Sequence, residues 1–86
     1  LQKQERARQI QDTARNRNAV KRRLTKAEEQ VITLETEQKA LLEQLAADAG
    51  AVDYSQINKR LQLLQAELET ATREWETAAT EWETFT

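Results

Sequence analysis

Apolar side chains recur along this chain in alternating steps of four and three residues. The first run extends from residue 20 to residue 45, and Gln38 is its one polar member. A period of 3.5 residues places these positions on one face of a helix, predicted over about residues 18–48. The apolar members of the run are Val20, Leu24, Ala27, Val31, Leu34, Leu41 and Leu45.

A second run keeps the same steps and predicts a helix over about residues 55–85. Both tryptophans belong to it, each within the sequence Glu-Trp-Glu-Thr. Large aromatic side chains bury the most area, so we expect them to hold the helix ends together, although stacking on nucleic-acid bases is an alternative role. The members of this run are Ile57, Leu61, Leu64, Leu68, Ala71, Trp75, Ala78, Trp82 and Phe85.

The segment between the runs, residues 46–55, reads AADAGAVDYS. Gly50 is the predicted helix break, because glycine adopts a left-handed cap without strain. Asp53 followed by Gln56 resembles a capping box for the second helix, with Ser55 as the alternative cap. We therefore predict an all-α fold, a monomeric two-helix antiparallel coiled-coil hairpin with a basic N-terminal helical extension. The alternative is a parallel dimer with a stutter at Gly50.

A hairpin that turns near residue 51 predicts which positions face each other across the seam, the stripe formed by the two apolar runs. Ala27 lies opposite Trp75, and Val20 lies opposite Trp82. A small side chain opposite a large one gives the volume compensation that a packed seam needs. The same register predicts two close pairs at the flanks, Arg23 with Glu81 and Glu37 with Glu67.

Composition agrees with long helices and excludes several kinds of site. The chain of 86 residues has one glycine and no proline, cysteine or histidine, and a third of it is charged. These counts exclude disulfides and glycine-rich phosphate loops and offer no catalytic constellation. We expect no enzymatic activity, metal, cofactor, small-molecule substrate or membrane span in this chain. We interpret the chain as a piece of a larger protein.

Charge divides the chain into a basic arm and an acidic body. Residues 1–26 hold nine lysines or arginines and two acidic residues, a net charge of +7, whereas the other sixty residues carry −9. Residues 1–17 form the predicted basic extension, and residues 18–86 form the hairpin. Arginines along a helix can follow phosphates without reading sequence. The candidate nucleic-acid contacts are Arg6, Arg8, Arg15, Arg17 and Arg22.

Two less specific interpretations of the basic arm stay open at this point. Lys21, Arg22 and Arg23 lie, in the predicted register, beside the acidic end of the second helix, which could neutralise them. The extension could also be a linker to a preceding domain.

The order of features along residues 18–86 resembles the C-terminal coiled-coil domain of ABC-F ATPases. A Lys/Glu-rich first helix precedes a break containing Tyr54, and the second helix carries Leu64-Gln65-Ala66-Glu67-Leu68 and then Trp75. The second Glu-Trp-Glu-Thr departs from the single late tryptophan of that family. The resemblance implies a cytoplasmic parent with two ATP-binding cassettes, which bind ATP and Mg²⁺, and no membrane domain. It also implies action at ribosomes, in translation or antibiotic resistance, with the hairpin contacting DNA, ribosomal RNA or tRNA.

Two other classes of protein have the same pattern. A structural spacer or protein–protein interaction coiled coil needs the seam but no nucleic acid. A helical arm of the tRNA-synthetase type also presents an antiparallel hairpin to RNA.

Overall fold

The computed structural model describes residues 2–47 and 53–85, with the side chains from residue 4 onward. Helix α1 spans Gln2–Ala47 and helix α2 spans Tyr54–Glu83. The two helices pack against each other in antiparallel orientation and form a rod of 74 × 16 × 16 Å. The predicted all-α helical hairpin is confirmed, and Gly50 lies outside the described residues.

Helix α2 begins with the predicted cap. Asp53 has extended backbone angles (φ −81°, ψ 90°), and its side chain accepts a hydrogen bond of 3.1 Å from the backbone N–H of Gln56. This bond satisfies one of the amide groups that the first turn of a helix leaves without a partner. Asp53 is therefore the N-cap, as predicted, and Ser55 lies inside the helix.

Helix α1 is 16 residues longer than α2 and carries the basic extension at its free end. No glycine or proline interrupts residues 2–47, so the helix continues without a break from the hairpin into the extension. At about 1.5 Å per residue, the difference in length leaves about 24 Å of α1 beyond the end of α2. Among the residues that the structure describes, no second helix lies beside that part of α1.

Burial alternates along the seam. On each helix the buried side chains are seven residues apart, and the intervening seam residues are only partly covered. A hairpin has one partner for each helix, so only the central line of the seam is enclosed on both sides. The buried residues are Val20, Ala27 and Leu34 on α1 and Leu64, Ala71 and Ala78 on α2.

Trp75 departs from the predicted packing. Ala27 is 4% exposed, but Trp75, expected to cover it, is 40% exposed. Ala71 and Ala78 are the buried residues on either side of Trp75 along α2. Small side chains allow two helix backbones to approach closely, which leaves little depth for an indole between them. Trp75 therefore lies at the edge of the seam rather than within it.

Two arginines connect the helices at the flanks. The predicted Arg23–Glu81 contact is a bidentate pair with both N···O distances at 2.9 Å. Arg60 donates hydrogen bonds to Glu37, one of them 2.9 Å long, and lies 3.5 Å from Glu67. Glu37 and Glu67, which the register predicts to be close, both contact the guanidinium of Arg60. Their mutual repulsion is offset by one shared cation.

Candidate nucleic-acid interface

The five candidate arginines divide between two faces of α1. A helix advances about 100° per residue, so residues seven apart return to within about 20° of the same direction. Arg8, Arg15 and Arg22 are seven residues apart and share one face. Arg6 and Arg17 are eleven apart and share the opposite face, which is the face of the seam.

The arginine stripe, defined as Arg8, Arg15 and Arg22, lies on the side of α1 turned away from α2. All three residues are exposed. Successive members are separated by about 10.5 Å along the helix axis. Side chains spaced in this way on a straight helix present three guanidinium groups in one line.

None of the three stripe arginines forms a salt bridge within the described part of the chain. The salt bridges there join Arg23 to Glu81 and Arg60 to Glu37 and Glu67. The acidic end of α2 therefore pairs with Arg23 but not with Arg22, although the two are adjacent in sequence. The three exposed guanidinium groups of the stripe are thus not held by a carboxylate of the described residues.

Carboxylates raise the pKa values of the two interhelical arginines. Hydrogen bonding and charge from Glu81 raise the pKa of Arg23, and hydrogen bonding to Glu37 is the main cause that raises the pKa of Arg60. Each of these guanidinium groups is already held by a carboxylate in a bidentate arrangement. They stabilise the hairpin and are poor candidates for phosphate contacts.

Arg17 lies on the other face, where α1 passes the end of α2. Its Cζ atom is 5.5 Å from the ring centroid of Trp82, a cation–π contact. Trp82 also packs against Phe85, with the ring centroids 6.4 Å apart and the planes inclined by 49°. The aromatic side chains thus close the end of the hairpin through Trp82 and Phe85, and Arg17 covers the indole.

The Arg17–Trp82 contact was not predicted from the sequence, although the seam pattern contained a signal for it. Continuing the seam steps backward from Val20 gives Arg17, Thr13, Ile10 and Arg6. Arg17 is thus the next residue of the seam face before Val20. It lies one helical turn from Val20, the residue predicted to face Trp82. The seven-residue spacing of the arginine stripe was visible in the sequence in the same way.

Other kinds of site find little support in the described residues. Within residues 2–47 and 53–85, no three His, Cys, Asp or Glu side chains are grouped as metal ligands. None of the helices described here has an apolar stretch long enough to cross a membrane. The candidate site is therefore the N-terminal part of α1, which carries guanidinium groups on two faces and contacts the indole of Trp82 at the end of α2.

No protein-family model, curated protein or solved structure matches this chain.

Proposed function

We propose that this chain is an accessory coiled-coil hairpin that contacts nucleic acid, DNA or ribosomal or transfer RNA, without reading its sequence. The single observation that supports this most strongly is the arginine stripe. Its three guanidinium groups are exposed on a helix that projects past its partner, and no described carboxylate forms a salt bridge with them. Arg6 and Arg17 add positive charge on the opposite face.

Arginine suits contact with a phosphate backbone better than lysine does. Its planar guanidinium pairs two phosphate oxygens at once and is weakly hydrated, so less solvation is lost on contact. A line of such groups provides affinity but no base discrimination, because phosphates are identical in every sequence. The interaction we propose is therefore electrostatic and depends strongly on salt.

The charge asymmetry also orients the contact. Residues 1–26 carry +7, and the remaining residues carry −9. A polyanion is attracted to the extension and repelled by the hairpin body. The rod therefore approaches nucleic acid with its basic end, the N-terminal part of α1, first.

We propose further that the parent is an ABC-F ATPase and that this chain is its C-terminal domain. Support comes from the order of the break, Leu64-Gln65-Ala66-Glu67-Leu68 and a late tryptophan along the chain. The parent would then be cytoplasmic and act in translation or antibiotic resistance, with ATP and Mg²⁺ bound by its cassettes and no catalysis in this chain. Sequencing the gene upstream of the codon for Leu1 tests this, because an ATP-binding cassette must precede it.

The nucleic-acid contact is tested by fluorescence anisotropy with a labelled DNA duplex and a structured RNA. For three phosphate contacts on a duplex, raising salt from about 50 to 200 mM weakens binding about 40-fold. The variant Arg8→Gln/Arg15→Gln/Arg22→Gln should reduce the salt slope by about 3, since each lost contact removes about one unit.

A matched control removes the same charge from the hairpin body. Lys39→Gln/Lys59→Gln/Arg73→Gln also lowers the net charge by three, at exposed positions away from the extension. We expect this variant to keep the salt slope of the unmodified chain. An equal decrease of the salt slope in both variants would show that net charge alone attracts the nucleic acid. Absence of binding at low salt would contradict the proposal.

A further inference from the structure

A recess of about 520 Å³ lies where α1 passes the end of α2. It combines apolar side chains with cations on one face of α1 and one indole from α2. It also contains two side-chain amides, those of Gln9 and Asn18. The residues that matter for its chemistry are Arg6, Ile10, Ala14, Arg17, Lys21 and Trp82.

Arg17 and Trp82 form a cation–π pair at this recess. The guanidinium carbon is 5.5 Å from the indole centroid, and Arg17 is nevertheless exposed. Arg17 therefore contacts the indole and still has surface that a ligand can reach. A guanidinium plane is a surface on which nucleobases stack, as they do on aromatic rings.

We propose that this recess binds an unpaired segment of a single strand, with one base stacked on Arg17 and the phosphates on either side of that base held by Arg6 and Lys21. The inference rests on the proposed function, that the chain binds nucleic acid, and adds single strands as the preferred class. Bases within a duplex are already stacked on both sides and cannot reach Arg17. The arginine stripe, on the opposite face, contacts phosphates of either form.

A protein helix fits this recess less well. Docking of an amphipathic helix requires apolar contacts at successive turns. Along the seam face beyond Val20, the positions are Arg17, Thr13, Ile10 and Arg6, and only Ile10 is a large apolar residue, 70% exposed. A single base needs only one such contact, and the cations and amides around it suit the phosphates. An amphipathic helix would find almost no continuous apolar surface here.

Tryptophan fluorescence tests the assignment directly, because the chain has only two tryptophans. In a Trp75→Phe variant, Trp82 is the sole reporter. We expect a single-stranded oligothymidylate of about 20 nucleotides to quench this fluorescence and a duplex of equal length to leave it largely unchanged, since only an unpaired base can enter the recess that Trp82 lines. In a Trp82→Phe variant, Trp75 reports no quenching by either ligand.

The variant Arg17→Lys separates stacking from charge. Lysine keeps the positive charge but lacks the planar guanidinium on which a base can stack. Affinity for the single strand should therefore fall about tenfold, while affinity for the duplex changes less than about twofold. Arg73→Lys, an exposed position on α2, is the matched control and should alter neither affinity. Circular dichroism of each variant checks that the hairpin is folded.

The possible outcomes distinguish this inference from the proposed function. Equal affinity losses for single strand and duplex in Arg17→Lys overturn the stacked nucleotide but leave the phosphate contact intact. Failure of both oligonucleotides to bind contradicts the proposed function and this inference together. Binding of a polyglutamate peptide that depends on Arg17 as strongly as the single strand does also overturns the inference, and assigns the recess to acidic proteins.

Discussion

Arg23 on α1 and Glu81 on α2 are 58 residues apart in sequence, and their side chains share two hydrogen bonds of 2.9 Å. The pair fixes which turns of the two helices lie side by side near the open end of the hairpin. Both side chains are about half exposed, so solvent screens the attraction. Its value lies in setting the register more than in adding stability.

Charge reversal tests this relationship. Arg23→Glu or Glu81→Arg alone places like charges together at the flank, so each should lower the melting temperature by a few degrees. The double variant Arg23→Glu/Glu81→Arg restores opposite charges and should recover most of the loss. Thermal unfolding followed by circular dichroism measures all three, and a double variant whose loss equals the sum of the single ones would contradict the contact.

Acid should weaken the hairpin through Glu37 and Glu81. Hydrogen bonds from Arg60 and Arg23 hold the pKa values of these carboxyl groups below their ordinary value of 4.5. A carboxylate whose pKa is lower in the folded chain stabilises the fold above its unfolded pKa, and this contribution is lost as the pH falls through the folded pKa. Stability should therefore decrease as the pH drops below about 4.5.

The variant Glu37→Gln separates this contribution from the general effect of acid. At about pH 7 it should be less stable than the unmodified chain, because the charged partner of Arg60 is missing. At a pH well below the folded-state pKa of Glu37 the two chains should have the same stability, because Glu37 is then protonated and resembles glutamine. A difference that persists in acid would point to a packing role for Glu37.

Two adjacent leucines give a direct measure of the core. Leu64 is fully buried at 0% exposure, whereas Leu63 is 57% exposed on the outer surface. Leu64→Ala removes packed methyl groups and leaves a cavity, so it should cost about 2–5 kcal/mol of unfolding free energy. Leu63→Ala should change stability by less than about 0.5 kcal/mol. Urea unfolding of both variants compares them, and equal effects would contradict the hairpin packing.

The outline of this fold was predictable from the sequence because it depends on local signals. The four-and-three spacing of apolar residues defines both helix faces, and Asp53 with Gln56 defines where α2 begins. The same spacing predicted the Arg23–Glu81 contact across 58 residues. Periodicity and capping can be identified without considering the size of each side chain.

Features that depend on size and reach were not predictable in the same way. The spacing treats every seam position as equivalent, so it placed Trp75 inside and gave no reason for its 40% exposure. It paired Glu37 with Glu67 but did not place the long side chain of Arg60 between them. The spacing of the five candidate arginines already contained their division into two faces, and α1 is continuous through the extension, so both faces are present in the fold.

The buried alanines lead to the last prediction. Ala71 is 2% exposed within the cluster formed with Leu34 and Leu64, whereas Ala66 lies exposed on the same helix. If close approach of the backbones depends on small side chains, Ala71→Leu has no space for its added atoms and should cost about 1–3 kcal/mol. The same substitution at Ala66 should be nearly neutral or slightly stabilising, because leucine favours helices almost as well as alanine does. Urea unfolding measures both, and Trp75 fluorescence should shift as the helices separate around Ala71. A stabilised Ala71→Leu variant would mean that the seam has unfilled volume and that the exposure of Trp75 has another cause.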